Sequence, residues 1–217
     1  MNTPLKSSLI AVVAALICAA PLVSQTSEKK SESAAPAKKA PPPPPLAGAG
    51  TGGNSPHATT SAVIGPNRRD GSMITITYGR PGAVHPRKGG DARKIWGGLV
   101  PYGKADRLGA DEATSIILQH AIETGGTTIP AGVYTLYIVP QEGEGSKLAF
   151  SKSIGKWGVP VDEANDQARV DLKKETLAQA VDPLTITIEG APPQSMNGVI
   201  KIKWEKTQFS LPFTVKK

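Results

Sequence analysis

Through much of its C-terminal part the chain alternates apolar and polar residues with period two, the pattern of strands that turn one face to a core and the other to water. In residues 184–189, Leu184, Ile186 and Ile188 face one way while Thr185, Thr187 and Glu189 face the other. Residues 199–205 set Ile200, Ile202 and Trp204 against Lys201, Lys203 and Glu205. Phe209, Leu211 and Phe213 then alternate with Gln208 and Ser210, and the break at Glu205 and Lys206 predicts a terminal hairpin between these two runs. Ile74, Ile76 and Tyr78 stand against Thr75 and Thr77 in the same way. Residues 133–139 are apolar on both faces, as in a central strand, and residues 127–129 are placed to pair with them across Pro130, Ala131 and Gly132. Shorter candidates are residues 114–118, 147–151 and 169–172.

Eight or nine strands joined by Gly/Pro-rich turns predict an all-β domain, mainly an antiparallel β-sandwich, with one or two short helices. The helical candidates are residues 161–167, with Asp162 as cap, and the weaker run 173–180. There is no internal repeat and no heptad pattern.

The N-terminus follows a different pattern. Lys6 precedes an unbroken apolar run over residues 9–20, and residues 21–25 then turn small and polar, which reads as a signal peptide over residues 1–24. As a helix that run would rise about 18 Å, well short of a ~30 Å hydrocarbon core. Cleavage is expected after Ser24, with Ala20 as the second choice. Cys18 as an acylated lipoprotein residue is less favoured, because the preceding Ile17 is bulky where that processing takes a small residue. Residues 25–54, rich in Pro, Ala, Lys and Gly with five prolines at 41–45, read as a disordered linker, leaving residues 55–217 as the folded domain. The linker serves either as a spacer or only as a solubilising tail. Periplasmic or secreted localisation follows, with no membrane insertion after cleavage.

Cys18 is the only cysteine of the 217 residues, so the mature domain has neither a thiol nucleophile nor a cysteine-ligated metal. The net charge is +7, but five lysines and two glutamates lie in the first fifty residues, leaving the remainder at +4 with acidic and basic residues interspersed. No Arg-rich run or basic-aromatic interleaving supports nucleic-acid binding.

Residues 80–112 break the strand pattern. They are thick with Gly and Pro yet carry Trp96, Tyr102, several arginines and the acidic pair Asp111 and Glu112. A long loop in a compact domain is usually functional or disordered, and aromatics argue against disorder. The strings SPH at 55–57, ITYGRP at 76–81, IWGGLVPYGK at 95–104 and GADEAT at 109–114 run in order along the chain, the last three within or overlapping this loop. They continue as PAGVYTLYIVP at 130–140, Trp157-Gly158, Asp166, Arg169-Val170 and the closing IKWEKTQFSLPF. Together they resemble the bacterial domain-of-unknown-function family DUF2911 across nearly the whole domain. The resemblance implies exported proteins with one β-rich domain, and it carries no activity. The chain departs from the family pattern at Asp106, where Trp is usual, and at Asp111, where Asn is usual.

Two chemistries are open for the loop. Arg80, Arg93 and Arg107 offer forked donors for carboxylates or sugars, Trp96 and Tyr102 offer flat faces for stacking, and Glu112 adds an acceptor. Alternatively, the arginines tie the loop to the sandwich through backbone carbonyls and Glu112, and the aromatics plug the sandwich end. Trp157 and Trp204 are read as core. A metal or general-base site is the second candidate, built from His57 with Asp111 or Glu112. Its alternative has His57 bridging the first turn and Glu112 pairing with an arginine. Tyr78 and His85 complete the candidates, while His120 ends a strand. The chain has no HExxH, no GxSxG elbow, no P-loop and no dinucleotide fingerprint. The expectation is a non-catalytic exported module, without cofactor, that binds a small polar or carbohydrate-like ligand or another envelope protein. A metal-assisted hydrolase around His57 and Glu112 is the alternative.

Overall fold

The computed structural model describes residues 55–85, 88–192 and 194–217. The signal peptide and linker expected over residues 1–24 and 25–54 lie outside the described residues. The larger sheet contains β1 (His57–Ile64), β2 (Ser72–Gly79), β3 (Asp106–Arg107), β4 (Ser115–Leu118), β7 (Gly132–Val139), β8 (Lys147–Ser151) and β9 (Asp166–Asp171). The smaller contains β5 (Ala121–Thr124), β6 (Thr127–Ile129), β10 (Lys173–Gly190) and β11 (Asn197–Lys216). The strand orders are β1-β2-β4-β7-β8-β9 and β10-β11-β5-β6, with every pairing between named strands antiparallel. The two-residue β3 pairs with β7 beyond the end of β4, with Asp106 opposite Ile138 and Arg107 opposite Tyr137.

The period-two residues build the core. Ile74, Ile76, Ile116, Leu118, Leu136, Leu148 and Phe150 from one sheet face Leu184, Ile186, Ile200, Ile202, Phe209 and Leu211 from the other, all buried. Tyr78 joins the sheets at their margin. Its hydroxyl accepts from the Ile186 N–H at 2.8 Å and donates to the Ile186 carbonyl at 3.3 Å, satisfying backbone groups of β10 at the sheet edge. The central role expected for residues 133–139 is met by β7, which pairs with β4 and β3 on one side and β8 on the other.

Three expectations are corrected. Among the described residues there is no helix, and so none long and apolar enough to cross a membrane. Residues 173–180 are helix formers by propensity but belong to β10, where residues 173–176 pair with residues 207–210 of β11, so that a sheet partner overrides local preference. In residues 161–167 Asp162 does accept the Ala164 N–H, at 3.2 Å, but its other bonds come from Ser153, Lys156 and Asn165. They close a loop instead of starting a helix, and Asp166 already belongs to β9.

The terminal hairpin between 199–205 and 208–213 does not form either, because both runs lie on the single strand β11. Inward positions are even up to Trp204 and odd from Phe209, and the switch occurs at Glu205, which adopts φ 51° where the register against β10 shifts. A bulge inverts the facing of every later residue, which in sequence looks like a chain break. The true hairpin joins β10 to β11, with Gly190 opposite Gly198. Residues 127–129 pair with β5 in the smaller sheet and not with β7.

Candidate functional site

The loop 80–112 leaves β2, crosses the end of the sandwich and returns through β3. Its described arginines, Arg80, Arg93 and Arg107, are spent largely on backbone carbonyls. Arg80 donates from Nε to Leu184 O at 3.1 Å and from Nη2 to Thr185 Oγ1 at 3.0 Å. Arg93 donates to Ala83 O at 2.9 Å and Gly82 O at 2.8 Å. Arg107 donates from Nη1 to Asp111 O at 2.7 Å and Trp157 O at 3.3 Å.

Trp96 is buried, its ring edge-on to Trp204 and Phe209, and its Nε1–H donates to Trp204 O at 3.2 Å. It plugs the sandwich end and leaves no flat face for a ligand. Tyr102 is half-buried, with the Lys174 ammonium 5.7 Å from its ring centre. Gly97 (φ 75°) is what lets that ring lie close, since a Cβ there would come within 2.6 Å of it.

His57 and Glu112 meet directly, with Nε2 2.8 Å from Oε2, and both side chains are solvent-exposed. A backbone N–H, then His57, hold the Glu112 carboxyl below its usual range. Glu112 therefore meets His57, as the metal or general-base candidate grouped them, and not the arginine that its alternative named. Asp111 does not join the pair: its carbonyl accepts from Arg107 and its Oδ2 is buried without a partner. Among the described residues no three His, Cys, Asp or Glu side chains gather as a metal-holding group.

The structure instead opens a cleft of about 260 Å³ at this end of the sandwich. Asp106, Arg107, Asp111, Arg93, Leu99 and Val159 are among its lining residues. Of the ligand residues expected from sequence only Arg93 and Arg107 line it; Arg80, Trp96, Tyr102 and Glu112 do not. Asp106 and Asp111, the two positions marked as departures by the resemblance, both do. Burial pushes the Asp106 carboxyl up to about 6, against the pull of Arg107. Among the described residues it makes no hydrogen bond or ion pair. Asp111, at φ 61°, turns in the left-handed region, which aspartate tolerates better than most side chains.

Beside the cleft stands Trp157, read from sequence as core but exposed here, with the Arg107 guanidinium 5.8 Å from its ring centre. Gly158 (φ 84°) allows the loop to lie on this wall, because a Cβ there would come within 3.0 Å of Ala113 and 3.2 Å of Arg107. The sequence did carry a signal for Trp157. It lies between Gly155 and Gly158-Val159-Pro160, with no period-two neighbours to place it on a core face.

A second polar cluster lies on the outer side of β7, centred on Asp166, whose Oδ1 is buried without a hydrogen-bond partner among the described residues. The buried Tyr137 donates to Asp166 at 2.5 Å, and Arg169 donates to Asp166 at 2.5 Å and Glu163 at 2.7 Å. Burial, reinforced by Asp166, raises the Tyr137 phenol.

No curated protein and no solved structure matches the chain. A family model described as protein of unknown function (DUF2911) matches residues 55–213, the span that holds the sandwich, the loop and the cleft, and the chain belongs to that family.

Proposed function

We propose that the chain is an exported, non-catalytic module of the bacterial cell envelope, periplasmic or secreted. In this reading its cleft binds a small polar or carbohydrate-like ligand or another envelope protein. The observation that carries it is the pair Asp106 and Asp111. Two carboxyl groups line one open cleft, one pushed up to about 6 by burial and the other with a buried oxygen that has no partner among the described residues. Leaving polar groups unmatched in a fold costs stability, and such groups concentrate where a ligand completes them. The N-terminal charge and apolar pattern supports export.

The metal-assisted hydrolase around His57 and Glu112 has less support, because those two side chains satisfy each other and no third ligand stands with them among the described residues. Elemental analysis of the full chain, purified without chelator or His-tag, separates the two readings. No stoichiometric metal is expected. Near-stoichiometric zinc that disappears in His57→Ala would overturn the binding reading. Mass spectrometry of the exported protein should find Gln25 as its first residue, whereas an acylated Cys18 would make it a lipoprotein.

A further inference from the structure

The cleft's walls specify the kind of ligand, on the premise that it is a binding site. Exposed large apolar side chains occur in two places among the described residues. Met73, Ile117 and Val133 lie on the outer face of the larger sheet, and Val84, Leu99, Ile154, Trp157 and Val159 lie in the loops around the cleft. Leu99 and Val159 line the cleft itself, in the same wall as Arg93, Asp106, Arg107 and Asp111. Trp157 is 53% exposed. Arg107 stacks on it at 5.8 Å and donates to its carbonyl, which fixes the indole while leaving it open to solvent.

Charge narrows the choice. A dicarboxylate or phosphate would meet the unmatched oxygens of Asp106 and Asp111, and each guanidinium already gives two hydrogen bonds to backbone carbonyls. A strongly cationic ligand would meet Arg93 and Arg107 in the same wall. A neutral ligand with hydroxyl donors and an apolar face meets all of these groups without conflict. At about 260 Å³ the cleft is also smaller than the ~300–1,000 Å³ sites that enclose drug-sized ligands, which suits one ring or a chain end.

We propose that this ligand is a neutral saccharide, a hydroxyl donating to Asp106 and the C–H face of its ring laid on the indole of Trp157. The partly positive C–H groups of a pyranose then oppose the negative face of the aromatic ring, and the Asp106 carboxyl gains a donor.

Calorimetric titration of the full chain with neutral gluco-, manno- and N-acetylglucosamine oligosaccharides tests this, run beside aliphatic diamines and dicarboxylates. Saturable binding is expected for one neutral series. It should be at least ~10-fold weaker in both Trp157→Ala and Asp106→Asn, retained in Trp157→Phe, and unchanged in Ile117→Ala on the sheet face. Binding of only diamines or dicarboxylates, lost in Asp106→Asn, would overturn the saccharide and leave the cleft as a binding site. Saccharide binding that survives both cleft variants would move the sugar site elsewhere and overturn the proposal. Binding by none of the three classes would overturn the saccharide and the small-ligand reading of the cleft together, and leave only a protein partner for it.

Discussion

The loop 80–112 has two halves that treat polar groups in opposite ways. In the first, the anchoring groups are matched: Arg80 and Arg93 give donors to carbonyls or a hydroxyl, and the Ala83 N–H and Trp204 Nε1–H both donate to Asp182 at 2.8 Å and 3.2 Å. Trp96 is sealed in the core beside them. In the second half, from β3 onward, Asp106 and the Oδ2 of Asp111 have no hydrogen-bond partner among the described residues, and Trp157, from a later loop, faces solvent beside Arg107. Matched groups hold a loop with little helix or sheet of its own to the sandwich. Unmatched groups beside an open cleft cost stability, and that cost marks the half in which a ligand site is sought.

Mutations should separate the halves by size and by kind of effect. The largest loss is expected for Trp96→Ala, which empties a fully packed aromatic site. About 3–5 kcal/mol of stability should go, read as a lower denaturant midpoint. A loss below ~1 kcal/mol would show that the loop does not seal the core. Arg80→Ala comes next, at about 1–3 kcal/mol, since it strips two hydrogen bonds between the β2 end and β10 and leaves the Leu184 carbonyl without its side-chain donor.

The third effect has the opposite sign and depends on pH. The folded-state value of Asp106 is raised from 3.8 to about 6, so the unfolded chain ionises first as pH rises. Well below 3.8 both states hold the proton and the group costs nothing; from there up to about 6 stability falls, and above it the cost is complete. Asp106→Asn should therefore be more stable than the parent by ~2 kcal/mol at pH 8 and equal to it near pH ~3, by thermal melts at both pH values. A destabilised variant at pH 8 would mean that the carboxylate has a stabilising partner. The smallest effect is Trp157→Ala, expected within ~0.5 kcal/mol of the parent because the ring is largely in water. A loss above ~2 kcal/mol would make Trp157 a structural anchor and erase the contrast between the halves.

The period-two alternation was enough to establish the all-β sandwich, most of its core, and the central place of residues 133–139, because one-faced strands have few other ways to bury that face. Three strands left little trace: β1, whose inward Ala58, Thr60 and Ala62 are small or polar; β5, with Ile122 as its one large apolar residue; and the two-residue β3. The family was legible from its ordered strings, and the loop 80–112 was legible as the place to look. Local pattern misled where the outcome depended on a distant partner. Residues 173–180 became strand because β11 lies beside them, and the bulge at Glu205 passed for a turn because both break the alternation in the same way.

The candidate site depended most on tertiary structure. Trp96 and Trp157 are each flanked by glycine, and only the packed chain decided that the first would be sealed against Trp204 and Phe209 while the second would stand in solvent over Arg107. The reason is physical: periodicity records which face of a strand is apolar, whereas the exposure and hydrogen-bond matching of a loop side chain depend on groups fifty to a hundred residues away, as Arg107 to Trp157 and Trp96 to Trp204 show.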